Sequence, residues 1–416
     1  MKNILIINQY AANKGDRAVL FAIVSEMLKH DVKLTVSTHE PSLWNDYDFY
    51  ESNGIDFVPW GWDFDKIINN GIISRLYWKT LSKLKKYTYT LNRELFLLPF
   101  KIPFFIQRLV MNPQFYQALK NADLVLSTGG HHITTLLAYD AISPQIYDIS
   151  LALALAKPTY IWSQSLGPLD FHNNRNKRFV NNILNGCTEI YLRDTQSEKF
   201  IDRSDPRIKK TFESVFLLNS MFNEYVMPSK RDNVLGISIY STKNRSDEET
   251  NDYIDILASV VNYANKKNIV VKFLPMEIKS SGPDDRPMIQ KVLEKVDSIH
   301  MCSVLDEDLQ TFEHLKEVSK CRYFIGHKTH SIIFALTTGT PLIALAYHPK
   351  SIDFMGQFDL DEFAIPDEKL TSKLLLKSFD SLTEHINEFG TMSFAKSDEM
   401  ASVIQKDIEN IVNLKV

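Results

Sequence analysis

Residues 321–350 read CRYFIGHKTHSIIFALTTGTPLIALAYHPK, and this stretch decides the fold. Arg322-Tyr323-Phe324-Ile325-Gly326 is a short aromatic and β-branched run, the pattern of a strand buried on both faces. Small and apolar residues from about Thr329 to Thr337 predict a helix, and Thr338-Gly339-Thr340 a turn. Pro341-Leu342-Ile343-Ala344-Leu345 is the next strand. Strand, helix and strand in immediate succession form a parallel crossover unit. The polar residues between the first strand and its helix, Gly326-His327-Lys328-Thr329-His330-Ser331, therefore stand where open parallel sheets bind their ligands.

The same alternation extends outward. Val234–Ile239 is a strand, Asp252–Asn265 a helix and Val270–Pro275 a strand. Upstream, Val226–Asn233 is polar, contains a proline and suits a linker. Before it come strands at Ile4–Ile7, Leu34–Ser37, Leu124–Ser127, Thr159–Ser163 and Glu189–Leu192. Helical periodicity runs through Ala18, Leu20, Phe21, Val24 and Leu28, and a helix at about 146–156 separates two of the strands. The chain closes on a segment, 391–416, with helical spacing at Ser397–Asn413. The expected architecture is α/β: two Rossmann-like doubly wound domains, 1–227 and 234–390, facing a cleft, with the last helix packing back on the first domain.

Composition narrows the function. The 416 residues are 44% hydrophobic and 24% charged with a formal net charge of −4. That balance suits a globular protein and argues against nucleic acid as a partner. Cys187, Cys302 and Cys321 make no C-x-x-C pair and no disulfide framework, which points to a reducing, cytoplasmic setting. The N-terminal apolar run is too short for a signal peptide, and no charge-free stretch of about 20 residues predicts a membrane span.

One segment stands apart. From 72 to 120 the basic residues are Arg75, Lys79, Lys83, Lys85, Lys86, Arg93, Lys101, Arg108 and Lys120, and the only acid is Glu94. Tyr77, Trp78, Tyr87, Tyr89, Phe96, Phe100, Phe104 and Phe105 are interleaved. Two readings stand: contact with an anionic membrane surface, or an insertion with solvated lysines and core aromatics.

The candidate site residues all follow strands. Asn13, Gly15 and Asp16 precede the first helix, where backbone amides receive anions or hydroxyl-rich ligands; Asp16 also suits an N-cap. Gly129 and Gly130 let a ligand approach the backbone, beside His131 and His132. A histidine pair alone falls short of a metal ligand set, and no metal is expected. Gln164 lies in a polar strand exit, and the following Ser165 lacks a nucleophile-elbow context. Arg193 has a planar fork suited to carboxylate or phosphate, or to a salt bridge with Asp194 or a neighbouring carboxylate. Lys328, Ser331 and Lys350 form a basic, hydrogen-bonding rim, and His330 transfers protons near neutral pH.

In order and spacing these elements resemble the polysaccharide pyruvyl transferase family. The resemblance is carried by Asn13-x-Gly15-Asp16-x-Ala18, Gly129-Gly130, Ser165-Leu166-Gly167-Pro168, Leu192-Arg193-Asp194 and, most densely, Cys321 to Lys350. It implies a GT-B-like fold and transfer of the pyruvyl unit of phosphoenolpyruvate, the donor substrate, to a sugar acceptor, with a ketal formed and phosphate released. No cofactor is implied. The family's donor arginine falls on Arg193, and its R-x-H-S on Lys328, His330 and Ser331. Lys328 departs from the usual arginine and Thr329 from an apolar residue; lysine keeps the charge but loses bidentate geometry.

On this reading His330 and Asp16 are catalytic, and Arg193, Lys328, Ser331 and Lys350 hold the donor. Asn13, Gly15, Gly129, Gly130, His131, His132 and Gln164 face the acceptor, a surface or capsular polysaccharide precursor on a lipid carrier at the inner face of the cytoplasmic membrane. The alternatives are a GT-B glycosyltransferase using a nucleotide sugar, and a non-catalytic sugar-binding protein.

Overall fold

The computed structural model describes residues 1–9, 14–64, 71–98, 108–109, 111–136, 142–241, 245–278 and 284–414. The expectations for Asn13, Phe100, Lys101, Phe104 and Phe105 lie outside the described residues. The chain divides into two compact units. Unit 1 is Met1–Ala11, Ile23–Glu213 and Lys406–Val416; unit 2 is Ala12–Ala22 and Ser214–Gln405.

Unit 1 holds a seven-stranded sheet of β1 (Lys2–Gln9), β2 (Val32–Thr38), β3 (Asp56–Val58), β4 (Leu124–Thr128), β5 (Thr159–Gln164), β6 (Glu189–Leu192) and β7 (Ile208–Lys210). The order is β3-β2-β1-β4-β5-β6-β7, and every pairing is parallel. Its helices are α1 (Lys14–Met27), α2 (Tyr47–Ser52), α3 (Ile72–Lys83), α4 (Lys85–Phe96), α5 (Pro113–Asn121), α6 (Pro144–Ala154) and α7 (Asn174–Gly186), with the first turns of α1 belonging to unit 2. The central strands are sealed on both faces, with Ile4 to Ile7 and Leu124 to Leu126 buried. This explains why they read as unbroken apolar runs. The aromatics of the basic segment divide. Trp78 stacks on Phe64, Tyr89 meets Trp62 and Tyr147, and Phe96 meets Phe179, all in the core of unit 1. Tyr77 and Tyr87 are exposed.

Unit 2 repeats the plan with β8 (Asp232–Ser238), β9 (Val270–Phe273), β10 (Cys302–Val304), β11 (Cys321–Gly326), β12 (Leu342–Ala346) and β13 (Ala364–Pro366), ordered β10-β9-β8-β11-β12-β13 and parallel throughout. The helices are α8 (Asp247–Lys266), α9 (Arg286–Leu293), α10 (Thr311–Lys320), α11 (Thr329–Thr337), α12 (Pro349–Gln357), α13 (Ser372–Glu384) and α14 (Ile386–Asn413), with the last turns of α14, from Lys406, belonging to unit 1. Strand order reverses between β8 and β11, and at such a switch point the two exit loops diverge and leave a crevice. Tyr240, His327 and Lys328 follow those two strands.

Three boundaries differ from the sequence reading. The division between units falls at Glu213/Ser214, and the polar stretch 226–233 lies within unit 2, where β8 has already begun at Asp232. α8 starts at Asp247 because Ser246 and Glu249 close a reciprocal capping box. α14 starts at Ile386, upstream of 391. Gly390 continues that helix, and a side chain there would run 2.5 Å from Pro228 Cγ.

Candidate functional site

In unit 2, four strand exits and the start of α1 surround a pocket of about 260 Å³, lined by Gly15, Tyr240, Met276, Glu277, Lys328, Thr329, His330 and Tyr347. Lys328 is the N-cap of α11, which places the amides of the first helical turn beside the pocket. His330 lies one residue into that turn, against the backbone of Gly15. A Cβ built on Gly15 would come within 2.2 Å of the His330 Cγ and Nδ1. Only glycine lets α1 begin so close to the imidazole.

Lys328 is less free than the sequence implies. Its ammonium is 2.5 Å from Glu277 Oε2 and 2.9 Å from Asp285 Oδ1, and the side chain is 12% exposed. Asp285 is buried and also accepts the amides of Met276 and Glu277. Burial raises its pKa above the usual carboxylate range, against the pull of Lys328. Burial likewise raises the Tyr347 hydroxyl, opposed by a hydrogen bond with Thr329 and assisted by the fields of Tyr240, Glu277 and Asp16. Asp16 lies in the first turn of α1 rather than at its N-cap. Ser331 is buried with its hydroxyl on the Lys328 carbonyl at 2.7 Å. It supports the helix start and is not among the residues lining the pocket. Lys350 lies in the first turn of α12, its amide donated to His348 Nδ1 at 3.2 Å.

The start of α1 is pinned within unit 2. Arg17 binds Asp308 at 2.8 Å, and the Lys14 ammonium lies 3.4 Å from the same carboxylate, 3.3 Å from the Pro275 carbonyl and 3.4 Å from His314 Nδ1. Lys14 is buried, and that burial lowers its pKa to about 8 despite Asp308.

A second cavity of about 510 Å³ shares Tyr240 and Tyr347 with the first, whose rings stack at 4.3 Å. Arg245, Glu249, Asp252, Tyr253, Asp367 and Glu368 also line it. Two of its lining residues hold buried His327, the Tyr253 hydroxyl at 2.8 Å and Asp367 at 2.9 Å. Burial lowers the His327 pKa against the field of Asp367.

In unit 1 Arg193 contacts Gly130, Ser165 and Glu213. Its guanidinium forms an ion pair with buried Glu213, donates from Nε to Ser165 Oγ at 3.1 Å, and donates to the Gly130 carbonyl at 3.0 Å. Ser165 in turn donates to Asp194, which also accepts from the Ser197 amide and hydroxyl. Burial pushes the Asp194 pKa up, but those bonds and Arg193 carry the net shift down. Of the two readings of Arg193, the structure supports the bridge to a neighbouring carboxylate: the arginine is buried and ties three strand-exit loops together.

Gly129 and Gly130 take positive φ of 88° and 55°, a backbone conformation that glycine adopts without a Cβ clash. His131 contacts the Gly167 carbonyl at 2.5 Å, and a Cβ on Gly130 would lie 2.8 Å from His132 Nε2. Gln164 is fully buried and donates to Ser127 Oγ, a tie between β5 and β4 that replaces the expected acceptor contact. Among the described residues no three His, Cys, Asp or Glu side chains assemble to hold a metal ion.

Sequence reasoning missed Glu277, Asp285, Tyr240 and Lys14 as parts of the unit 2 site. Glu277 and Tyr240 each follow a strand, which is the signal that points to them.

The two parallel sheets define a GT-B-like architecture. Neisseria meningitidis UDP-GlcNAc 2-epimerase bound to UDP-GlcNAc superposes over 100% of both chains with a TM-score of 0.58 at 12% identity. S. aureus MnaA with UDP superposes over 100% of this chain and 98% of its own with a TM-score of 0.59 at 12% identity. The chain belongs to the polysaccharide pyruvyl transferase family, whose pattern matches residues 13–349. It is also 21% identical over 407 residues to the amylovoran biosynthesis protein AmsJ of Erwinia amylovora, a match spanning 93% of each chain.

Proposed function

We propose that the protein moves the pyruvyl group of phosphoenolpyruvate onto two hydroxyls of a sugar in a polysaccharide precursor. The observation that carries this reading is His330, seated on Gly15 in a pocket that also holds Lys328 and the first turn of α11. The donor is a small dianionic enol ester. In this reading the α11 amides and Lys328 receive its anionic groups, Lys328 exchanging Glu277 for the ligand. His330 delivers a proton to the methylene carbon, and the central carbon becomes electrophilic. A first sugar hydroxyl adds there and loses its proton to Asp16. The C–O bond to phosphate breaks, phosphate leaves, and the second hydroxyl closes the ketal while its proton passes to the departing phosphate. Holding both hydroxyls at one carbon is an orientation task of several kcal/mol.

Family membership supports the transfer chemistry. The AmsJ relative supports a surface polysaccharide precursor as acceptor. We infer that this acceptor is presented on a lipid at the inner membrane face, which the exposed helices of unit 1 support. The second reading, a nucleotide-sugar glycosyltransferase, is disfavoured by the 510 Å³ cavity. Among the described residues it sets Glu249, Asp252, Asp367 and Glu368 against Arg245 alone, and such a rim repels a diphosphate.

The test is incubation with phosphoenolpyruvate and lipid-linked sugar acceptors. Phosphate release with an acceptor mass gain matching pyruvylation is expected. Stabilisation by uridine diphosphate sugars without phosphate release from phosphoenolpyruvate overturns the reading.

A further inference from the structure

The outward face of α3 and α4 takes no part in the chemistry above. Each helix turns one side to the core, where Trp78 stacks on Phe64 and Asn92 donates to Ser150. The next side is apolar and open to solvent. Ile72 is 87% exposed, Ile73 86%, Leu76 66% and Tyr87 70%, with Leu84 and Leu91 also exposed. Ile73 and Leu76 in α3, and Tyr87 and Leu91 in α4, stand three and four residues apart, so each helix presents an exposed apolar side, with exposed Leu84 at the junction between them. Arg75, Lys79, Lys83 and Lys86 recur at the same spacing, all exposed, and flank those sides. The single acid, Glu94, is already held by Arg93 and Arg175 at 2.6 and 2.7 Å.

Soluble monomers rarely gather so many exposed aliphatic side chains without an occupant for the patch. The basic flank identifies that occupant. Protein interfaces are depleted in lysine. An apolar surface edged with lysines instead matches an anionic bilayer, with the side chains in the acyl boundary and the ammonium groups among phosphates. Among the described residues no helix is long and apolar enough to cross a membrane.

We propose that α3 and α4 lie in the surface of an anionic lipid bilayer and dock the protein there. The inference stands on exposure and charge and is independent of pyruvyl transfer, since lipid binding is measured without substrate.

The experiment is flotation of the full chain with vesicles of phosphatidylglycerol and phosphatidylcholine in equal parts, and with phosphatidylcholine alone. Flotation with the anionic vesicles only is expected. Replacing Lys79, Lys83 and Lys86 by Gln should lower partition about a hundredfold. Ile73→Glu with Leu76→Glu should abolish it. These exposed sites leave the core intact, checked by an unchanged melting temperature and unchanged phosphate release with a water-soluble acceptor. Equal flotation with neutral vesicles, or wild-type partition of either variant, overturns the proposal. So does a dimer that the same substitutions dissociate without any vesicle binding, because the occupant is then a second copy.

Discussion

Gly15 and His330 are in direct contact in unit 2: the imidazole of His330 occupies the space that a side chain at position 15 would need, with Cγ and Nδ1 only 2.2 Å from a Cβ built there. The contact joins the first turn of α1 to the first turn of α11 and fixes the ring inside the pocket. Gly15→Ala is therefore expected to displace His330 while leaving the helix intact. Misplacing a reacting group by about 1 Å costs on the order of 100-fold in rate. Phosphate release from phosphoenolpyruvate should fall by that order, with the unfolding midpoint nearly unchanged. Full activity in Gly15→Ala removes His330 from the proton transfer.

Glu277 competes with any anion for Lys328, which it contacts at 2.5 Å. Glu277→Gln keeps the shape and removes the competing charge, so phosphoenolpyruvate should bind about tenfold more tightly, one charge-assisted contact of ~1.4 kcal/mol being released. Titration calorimetry measures this. Lys328→Ala has the opposite character. Asp285 is buried and its pKa is already raised by burial, with Lys328 the charge that restrains it. Without Lys328 the folded-state pKa rises further, and the folded protein holds the proton over a wider range than the unfolded chain. Stability of Lys328→Ala should then fall more steeply than wild type as pH rises above the ordinary carboxylate range. Adding Asp285→Asn should remove that dependence.

How much of this was legible is decided by distance along the chain. The helix Thr329–Thr337 was readable to the residue, because a buried strand, a polar junction and a small-residue run follow one another locally. The strands β3, β7, β10 and β13 were not. Each has three residues and lies in the outer part of its sheet, so no periodicity develops. Gly15, Lys328 and His330 were legible as strand exits. The carboxylates that hold Lys328 were not, since Glu277 and Asp285 lie 51 and 43 residues away and meet it only through the fold. Arg193 shows the same limit. A strand-end arginine announces an anion, but whether that anion is a ligand or Glu213, 20 residues on, is a three-dimensional fact.

Arg193 is buried with Glu213, and Glu213 is sealed from solvent. Removing one member of such a pair strands the other charge. Arg193→Ala should cost about 3–5 kcal/mol of stability. Arg193→Met with Glu213→Leu, which removes both charges and keeps volume, should recover most of it. Chemical denaturation of wild type, Arg193→Met, Glu213→Leu and the double variant measures the coupling. A donor-binding role predicts a different pattern, with weakened phosphoenolpyruvate binding at unchanged stability in Arg193→Ala.

Lys14 sets a stability window at alkaline pH. Its folded-state pKa is lowered from 10.5 to about 8, first by burial and then by Arg17, against the attraction of Asp308. Below about pH 8 both folded and unfolded chains carry the proton, and the folded state bears the cost of a buried ammonium. Between about 8 and 10.5 the folded chain has released the proton while the unfolded chain still binds it. Unfolding takes up a proton across that interval, so this residue's contribution to stability increases with pH, by roughly 3 kcal/mol over the whole window. Lys14→Met removes the titrating group and keeps the apolar stem. The slope of unfolding free energy against pH between 8 and 10 should therefore be less positive in Lys14→Met than in wild type. Identical slopes place the lysine's folded pKa near its unfolded value and break the link between its burial and its charge.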